Sequence, residues 1–599
     1  MRRILIAALL MLAVSALLVP TAGAARAKLK REYVVAYDAG VSLRAAKAAV
    51  NRIGGKVVRT QKALRIMLVT TKNTKFVKAA RKQAALSGVA RNQVIGRSYS
   101  SLKRKQNRIE REGRAAGAGI GGVTVDEPTT GLEEPLFDHW QWDMRMIGAT
   151  PDGSYAVQPG SKDVIVAVID TGIDGSHPDI APNFNRSLSR NWTTDIPLID
   201  GKCVQDPDHS CQDPNNVDED GHGTHVAGTI ASPINGLGMA GVAPNVTLVN
   251  DRAGQDSGFF FLWETVNAIK YAGDIGADVA NMSFYTDPWQ FNCPMDHPAL
   301  DPDTGLPSDS LAERTEQQTV LNSIDAAVGY ARARGVTLIA AAGNYATDID
   351  NPKPDDTSPD FPPGTERVRV VSDWCRDMPN EADDAATATG NDVLSVSALG
   401  PSGAKADYSN YGAGNAATGE IDVSAPGGYF RDFFGTAQHR VPENLILGPY
   451  PTAVARANKE LNGAGKPMSE FVVRDCSAEK TNTQADPSPQ PAPLTDCAYY
   501  QLIQGTSMAS PHAVGVAALI VSEFGTTDLV HGGLTMDPNA VAARLRSTAT
   551  DHACPVPATV DYTIVDRPAD WTATCVGTTA YNGFYGDGIV NALAAVTAP

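Results

Sequence analysis

"DVIVAVID" (163–170) carries six consecutive apolar residues, Val164 to Ile169, between two aspartates. A strand with one wet face alternates apolar and polar residues, whereas an unbroken apolar run implies burial on both faces, the environment of a parallel sheet. "NVTLVND" (245–251), "ADVANMSF" (277–284), "GVTLIAAAG" (335–343) and "NDVLSVSAL" (391–399) repeat the theme. Helical patterns separate several of them, at 265–276 and 318–335 among others. This alternation predicts an α/β fold, a doubly wound and mostly parallel sheet, over 135–599 of a 599-residue chain. Stretches 285–315 and 429–500 break the rhythm. They are rich in Pro, Asp and Cys and read as surface insertions, and 345–390 reads as a further acidic one.

The first 134 residues are of another character. Arg2 and Arg3, the apolar run from Ile4 to Leu18 and the small residues Ala22-Gly23-Ala24 read as an export signal over 1–24. No later segment reads as long and apolar enough to span a bilayer. Residues 25–120 hold 24 Lys/Arg against 4 Asp/Glu, while residues 121–599 hold 25 against 63. A basic segment commonly serves nucleic acid or an anionic membrane. Here an acidic partner of opposite sign lies in the same chain. Periodicity over 31–96 gives the order β-α-β-β-α-β, a small α+β ferredoxin-like unit. Residues 101–134 are polar and Gly-rich, as a processed linker would be. The eight cysteines all follow residue 202 and contain no CxxC pair, which favours disulfides over zinc. Neighbours in sequence are the expected pairs: 203–211, 476–497, 554–575 and 293–375.

Asp170 ends a buried strand, as does Asn344 in "AAAGN" (340–344). His222 opens "HGTHVAGTI" (222–230), and Ser507 opens the apolar stretch in "GTSMASPHAVGVAAL" (505–519). Singly, each has a plain structural role: Asp170 and Asn344 as turn residues, Ser507 as a helix cap. His222 and His225 are spaced to share a metal on one helix face, with no third ligand nearby in sequence. Together they supply a nucleophile, a base, an acid to orient the base and an oxyanion donor, the requirements of acyl transfer at serine.

These segments, with "AVIDTGID" (167–174), resemble the subtilase family of serine proteases. The chain order Asp, His, Ser is the subtilisin order, and it excludes both the α/β-hydrolase and chymotrypsin orders. "ADYSNYG" (406–412), "DVSAPGG" (422–428) and "YGDGIVNALAAV" (585–596) extend the resemblance over 135–597. It implies a secreted, extracellular endopeptidase, without catalytic cofactor, in which Asp170, His222 and Ser507 form the triad and Asn344 serves the oxyanion. The basic unit over 25–100 resembles an inhibitory propeptide, so the implied partners are polypeptide substrates and the chain's own N-terminal segment. Nucleic acid, a membrane after signal removal, and a second subunit are not implied. Extended substrate would add a strand between Ser257-Gly258-Phe259 and Ser283-Phe284-Tyr285, with a side-chain pocket beside Ala341, Ala342 and Gly343. Tyr285 departs from the family, which usually has glycine there. The family's calcium loop matches 231–244 without a gap. It implies a structural Ca²⁺ held by Asp179, Asn235 and the carbonyls of Pro233, Leu237 and Met239.

Overall fold

The computed structural model describes residues 31–97, 109–112 and 132–599, except 133, 206–208, 350–392, 413, 415–420, 477–496 and parts of 287–308. The export signal, most of the linker, the 293–375 pair and most of the 345–390 insertion lie outside the described residues.

Strands β1 (Glu32–Ala36), β2 (Gly55–Gln61), β3 (Ile66–Thr71) and β4 (Gly88–Arg91) form an antiparallel sheet in the order β2-β3-β1-β4. Helices Leu43–Arg52 and Phe76–Ala80 belong to the same unit. Because side chains alternate along a strand, Tyr33, Val35, Met67, Val69 and Val89 pack on the unit's own helices around Val50 and Phe76. Val34, Leu68 and Ala90 share the other core, with Trp263, Val320 and Ile324. The small sheet is therefore buried on both faces. Strand β5 (Val94–Arg97) then leaves it.

The large sheet has seven strands, adding β6 (Ile165–Val168), β7 (Arg190–Asn191), β8 (Thr247–Arg252), β10 (Val279–Met282), β12 (Thr337–Ala341), β13 (Val393–Leu399) and β14 (Val423–Pro426). Its order is β14-β13-β12-β10-β6-β8-β7 and every pairing is parallel. The reversal of order at β6 is the switch point at which α/β sheets place their sites. Helices Leu262–Asp274 and Leu311–Arg332 cover one face, and helices His222–Ala231 and Thr506–Phe524 belong to the core on the other.

Three expectations change. Helix Leu311–Arg332 starts seven residues before 318, inside the stretch read as an insertion. Ser310 and Glu313 form a reciprocal capping box that nucleates it there. Residues 429–500 are not merely a surface loop. Strands β15 (Ile446–Pro449), β16 (Val472–Asp475) and β17 (Ala498–Ile503) make an antiparallel sheet with buried Leu447, Val473, Tyr500 and Leu502. The polar composition belongs to 486–497, not to these strands. Finally, helix Thr506–Phe524 is long and apolar enough to cross a bilayer, but 83 % of that apolar window is buried as the central core helix. Cys203–Cys211, Cys476–Cys497 and Cys554–Cys575 are bonded as expected.

The helix carrying His222 is seated through Gly228, where an added Cβ would stand 2.1 Å from Pro449 Cδ. Gly228→Ala should cost about 1–3 kcal/mol through overpacking, read as a lower unfolding midpoint against the unaltered chain.

Candidate active site

Asp170 follows the end of β6 and His222 is the first residue of its helix. Asp170 Oδ1 lies 2.7 Å from His222 Nδ1, and both side chains are fully buried. The approach depends on glycine: a Cβ at Gly223 would meet the Gly172 carbonyl at 2.1 Å and Asp170 Cβ at 3.0 Å. Asp218, which sequence reasoning missed, locks this corner. Its Oδ1 accepts from Thr171 Oγ1 and the amides of Asp220 and Gly221, and its Oδ2 from Thr224 N and Oγ1. The available signal was an aspartate shortly before a helix that has glycine at its N-cap.

Ser507 is the second residue of helix Thr506–Phe524, within reach of the positive end of the helix dipole. Its carbonyl accepts from Ser283 Oγ at 2.7 Å. Asn344 Oδ1 accepts from Thr506 N at 2.9 Å and Thr506 Oγ1 at 2.8 Å, which fixes the amide's orientation. Asn344 Nδ2 is left buried without a hydrogen-bond partner among the described residues, as is His222 Nε2. Asn344 Nδ2 borders Gly505, where an added Cβ would stand 3.4 Å from it and 3.1 Å from Glu110 Oε1.

Glu110, from the stretch read as linker, is the unexpected occupant. It is fully buried, with Oε1 3.6 Å from His222 Nε2. Burial alone would push the imidazole pKa down. The carboxylates of Asp170 and Glu110, on the two ring nitrogens, outweigh this and hold it well above its ordinary value. No motif marks Glu110, so nothing in the sequence singled it out.

Strand β5 lies between β9 (Phe259–Phe261) and β11 (Tyr285–Thr286), antiparallel to both. Arg97 pairs with Phe259 on one side and Tyr285 on the other. Of the segments named from sequence, Phe259 and Tyr285 are in this ladder, and Phe284 stacks on Phe260 at 3.8 Å. Ser257 and Gly258 stand just outside it. Ser257 is bound to Asp200 Oδ1, and the Gly258 amide closes a turn on the Gln255 carbonyl. Ala341 ends β12, while Ala342 and Gly343 are tied to Asn410 and lead into Asn344.

The loop at 235–239 wraps carboxylates with its amides. Asn235, Gly236 and Leu237 donate to Glu134, Gly238 to Asp475, and Met239 to Asp179. Glu134 is pushed up to about 7, burial outweighing its three amide bonds. Asp179 is fully buried, and its Oδ1 has no partner among the described residues. An orphaned carboxylate oxygen beside two further carboxylates fits a hard cation. His225 does not share a metal with His222; its Nε2 bonds the Ile446 carbonyl at 3.1 Å.

Comparison with known proteins agrees with this fold. Over 392 residues the chain is 27 % identical to the nisin leader peptide-processing serine protease NisP of Lactococcus lactis, covering 65 % of this chain and 45 % of that protein. It is 26 % identical to subtilisin DY of Bacillus licheniformis over 388 residues, 65 % of this chain and 84 % of that one. The chain thus spans less than half the length of NisP. Among solved structures, the epidermin leader peptide processing serine protease EpiP of Staphylococcus aureus shares the fold. Its TM-score is 0.56 at 18 % identity, over 95 % of this chain and 98 % of that one. The family model for subtilases matches residues 161–567, which include Asp170, His222, Asn344 and Ser507. The chain belongs to the subtilase family, peptidase S8.

Proposed function

We propose that this chain is an exported serine endopeptidase made in a self-blocked form. The observation that carries the reading is the buried Asp170–His222 pair, whose free side meets Glu110. Glu110 and an Asn344 amide nitrogen lacking a partner among the described residues border Gly505, two residues before Ser507. Ser507 Oγ attacks the scissile carbonyl, and His222 Nε2 takes its proton and returns it to the leaving amine. Asp170 holds the ring's tautomer and steadies its charged form. Asn344 Nδ2 and the Ser507 amide stabilise the oxyanion, at the positive end of the helix dipole.

The strand ladder β9-β5-β11 supports a groove that receives extended peptide by β-augmentation. Because β5 fills that groove and Glu110 faces His222 Nε2, the basic unit acts as intramolecular inhibitor. With a carboxylate on each side, the imidazole stays charged and cannot serve as a base. Export rests on the signal-like pattern of 1–24. A structural Ca²⁺ would be held by Asp179, Asn235 and the carbonyls of Pro233, Leu237 and Met239. It would offset the charge gathered on Asp179, Glu134 and Asp475.

Ser507→Ala should abolish both peptide hydrolysis and release of the N-terminal unit; persistent hydrolysis in that variant rejects the assignment. Asn344→Ala should lower kcat by about 10²–10³, the size known from subtilisin, with KM little changed. Glu110→Gln removes one of the two charges that hold the imidazolium, so the neutral base appears at lower pH. The pH profile of fluorophosphonate labelling at Ser507 should therefore shift to lower pH in the full chain. An unmoved profile shows that Glu110 does not hold His222.

A further inference from the structure

Ile109–Glu112 occupies the catalytic groove on walls that β5 does not touch. The Ile109 carbonyl accepts from Gln504 Nε2 at 2.9 Å and the Glu110 carbonyl from Gln504 N at 3.1 Å. Two bonds to main-chain carbonyls thus fix the segment three residues before Ser507. Its next two side chains enter pockets of opposite charge.

Arg111 is 5 % exposed, with Cζ 5.8 Å from the Tyr450 ring centre. The Tyr450 hydroxyl donates to Glu460 at 2.6 Å. Although burial opposes it, the fields of Tyr450, Glu460 and Asp220 keep the guanidinium firmly charged. Glu112 meets the reverse arrangement. Its Oε1 accepts from Arg431 Nε at 2.7 Å and Nη2 at 2.6 Å, and its Oε2 from Arg567 Nη2 at 2.5 Å and Gln504 Nε2 at 3.1 Å. Arg567 is itself anchored to both oxygens of Asp407, at 2.5 and 3.1 Å, and Arg431 to the Val565 carbonyl. The cationic pocket is thus built by the enzyme part, not by the guest.

The two described segments lie on different walls in chain order. β5, upstream, lies on Phe259–Phe261 and Tyr285–Thr286; Ile109–Glu112, downstream, lies on Gln504, Tyr450, Arg431 and Arg567. A substrate threaded with the same polarity places the residues after its cleaved bond on the second set. We propose that this second set is a leaving-group subsite pair that selects peptides carrying a basic residue followed directly by an acidic one. The acidic pocket is Tyr450 with the Glu460 that its hydroxyl binds, and the basic pocket is Arg431 and Arg567. A buried ion-pair site for the acidic residue and a buried aromatic–acidic site for the basic one, in fixed order, discriminate against the reversed order as well as favouring the right one.

This inference rests on the endopeptidase reading and is tested so that the two fail separately. Three fluorescent peptides share one sequence except for two consecutive residues after the cleaved bond: Arg-Glu, Ala-Ala or Glu-Arg. Each is titrated by anisotropy against the Ser507→Ala chain after active chain has digested its N-terminal unit in trans and been removed, which opens both pockets without cleavage of the peptide. The Arg-Glu peptide should bind at least about tenfold more tightly than Glu-Arg. Adding Glu460→Gln, which keeps the Tyr450 hydrogen bond, should erode the preference for the basic residue alone. Equal affinity for all three peptides overturns the inference, whether or not the active chain cuts any of them. In the chain with Ser507 intact, kcat/KM should follow the same order. Failure to cut any of the three rejects the endopeptidase reading, while the binding order still decides the inference.

Discussion

A carboxylate and an imidazole 2.7 Å apart, sealed from water, impose their demands on much of the surrounding chain. Burying an ion pair is costly unless its remaining polar atoms are placed. Asp170 Oδ1 also receives the Thr171 amide, Thr171 is tied to Asp218, and Asp218 gathers the first turn of the His222 helix. Gly172 and Gly223 let the two segments touch, and Gly228 lets Pro449 lie against the helix. The parallel sheet supplies the rigid edge from which Asp170 projects. The last strand of the 446–503 sheet feeds directly into the turn and helix that bring Ser507.

Much of this was legible in the sequence because the constraints are local and repetitive. A strand buried on both faces favours an unbroken apolar run; β6 reads so throughout, β10, β12 and β13 nearly so, and β8 only at Leu248–Val249. The residues around the reacting centre announce themselves as short motifs, since glycine, serine and aspartate are forced by close approach. The β-α-β-β-α-β pattern of 31–96 was legible for the same reason, except that its last stretch is two strands, Gly88–Arg91 in the small sheet and Val94–Arg97 outside it.

What was not legible arises from long-range pairing. Glu110, Arg111 and Glu112 sit in a polar stretch with no periodicity, and their meaning depends on His222, Tyr450 and Arg567, up to 455 residues away. Charge counting showed a basic segment facing an acidic body, but not that two glutamates in it carry decisive contacts. The 446–503 sheet was hidden by the Pro-rich composition between its last two strands. Ser257 and Gly258 stand outside the β5 ladder, in a turn closed on Gln255, which pattern alone does not reveal.

On the proposed reading, the two-faced burial of the small N-terminal sheet would govern the fate of the molecule once its connecting chain is cut. Trp263, Val320 and Ile324 are covered by the side chains of Val34, Leu68 and Ala90. Cleavage removes a tether, but not this apolar contact, nor the strand lodged between Phe259–Phe261 and Tyr285–Thr286. Severed, the unit remains a tightly seated lodger, and departure would strand an oily face in water. On that reading, the moment at which such a molecule begins to work would be set by destruction of the lodger, not by the cut that frees it.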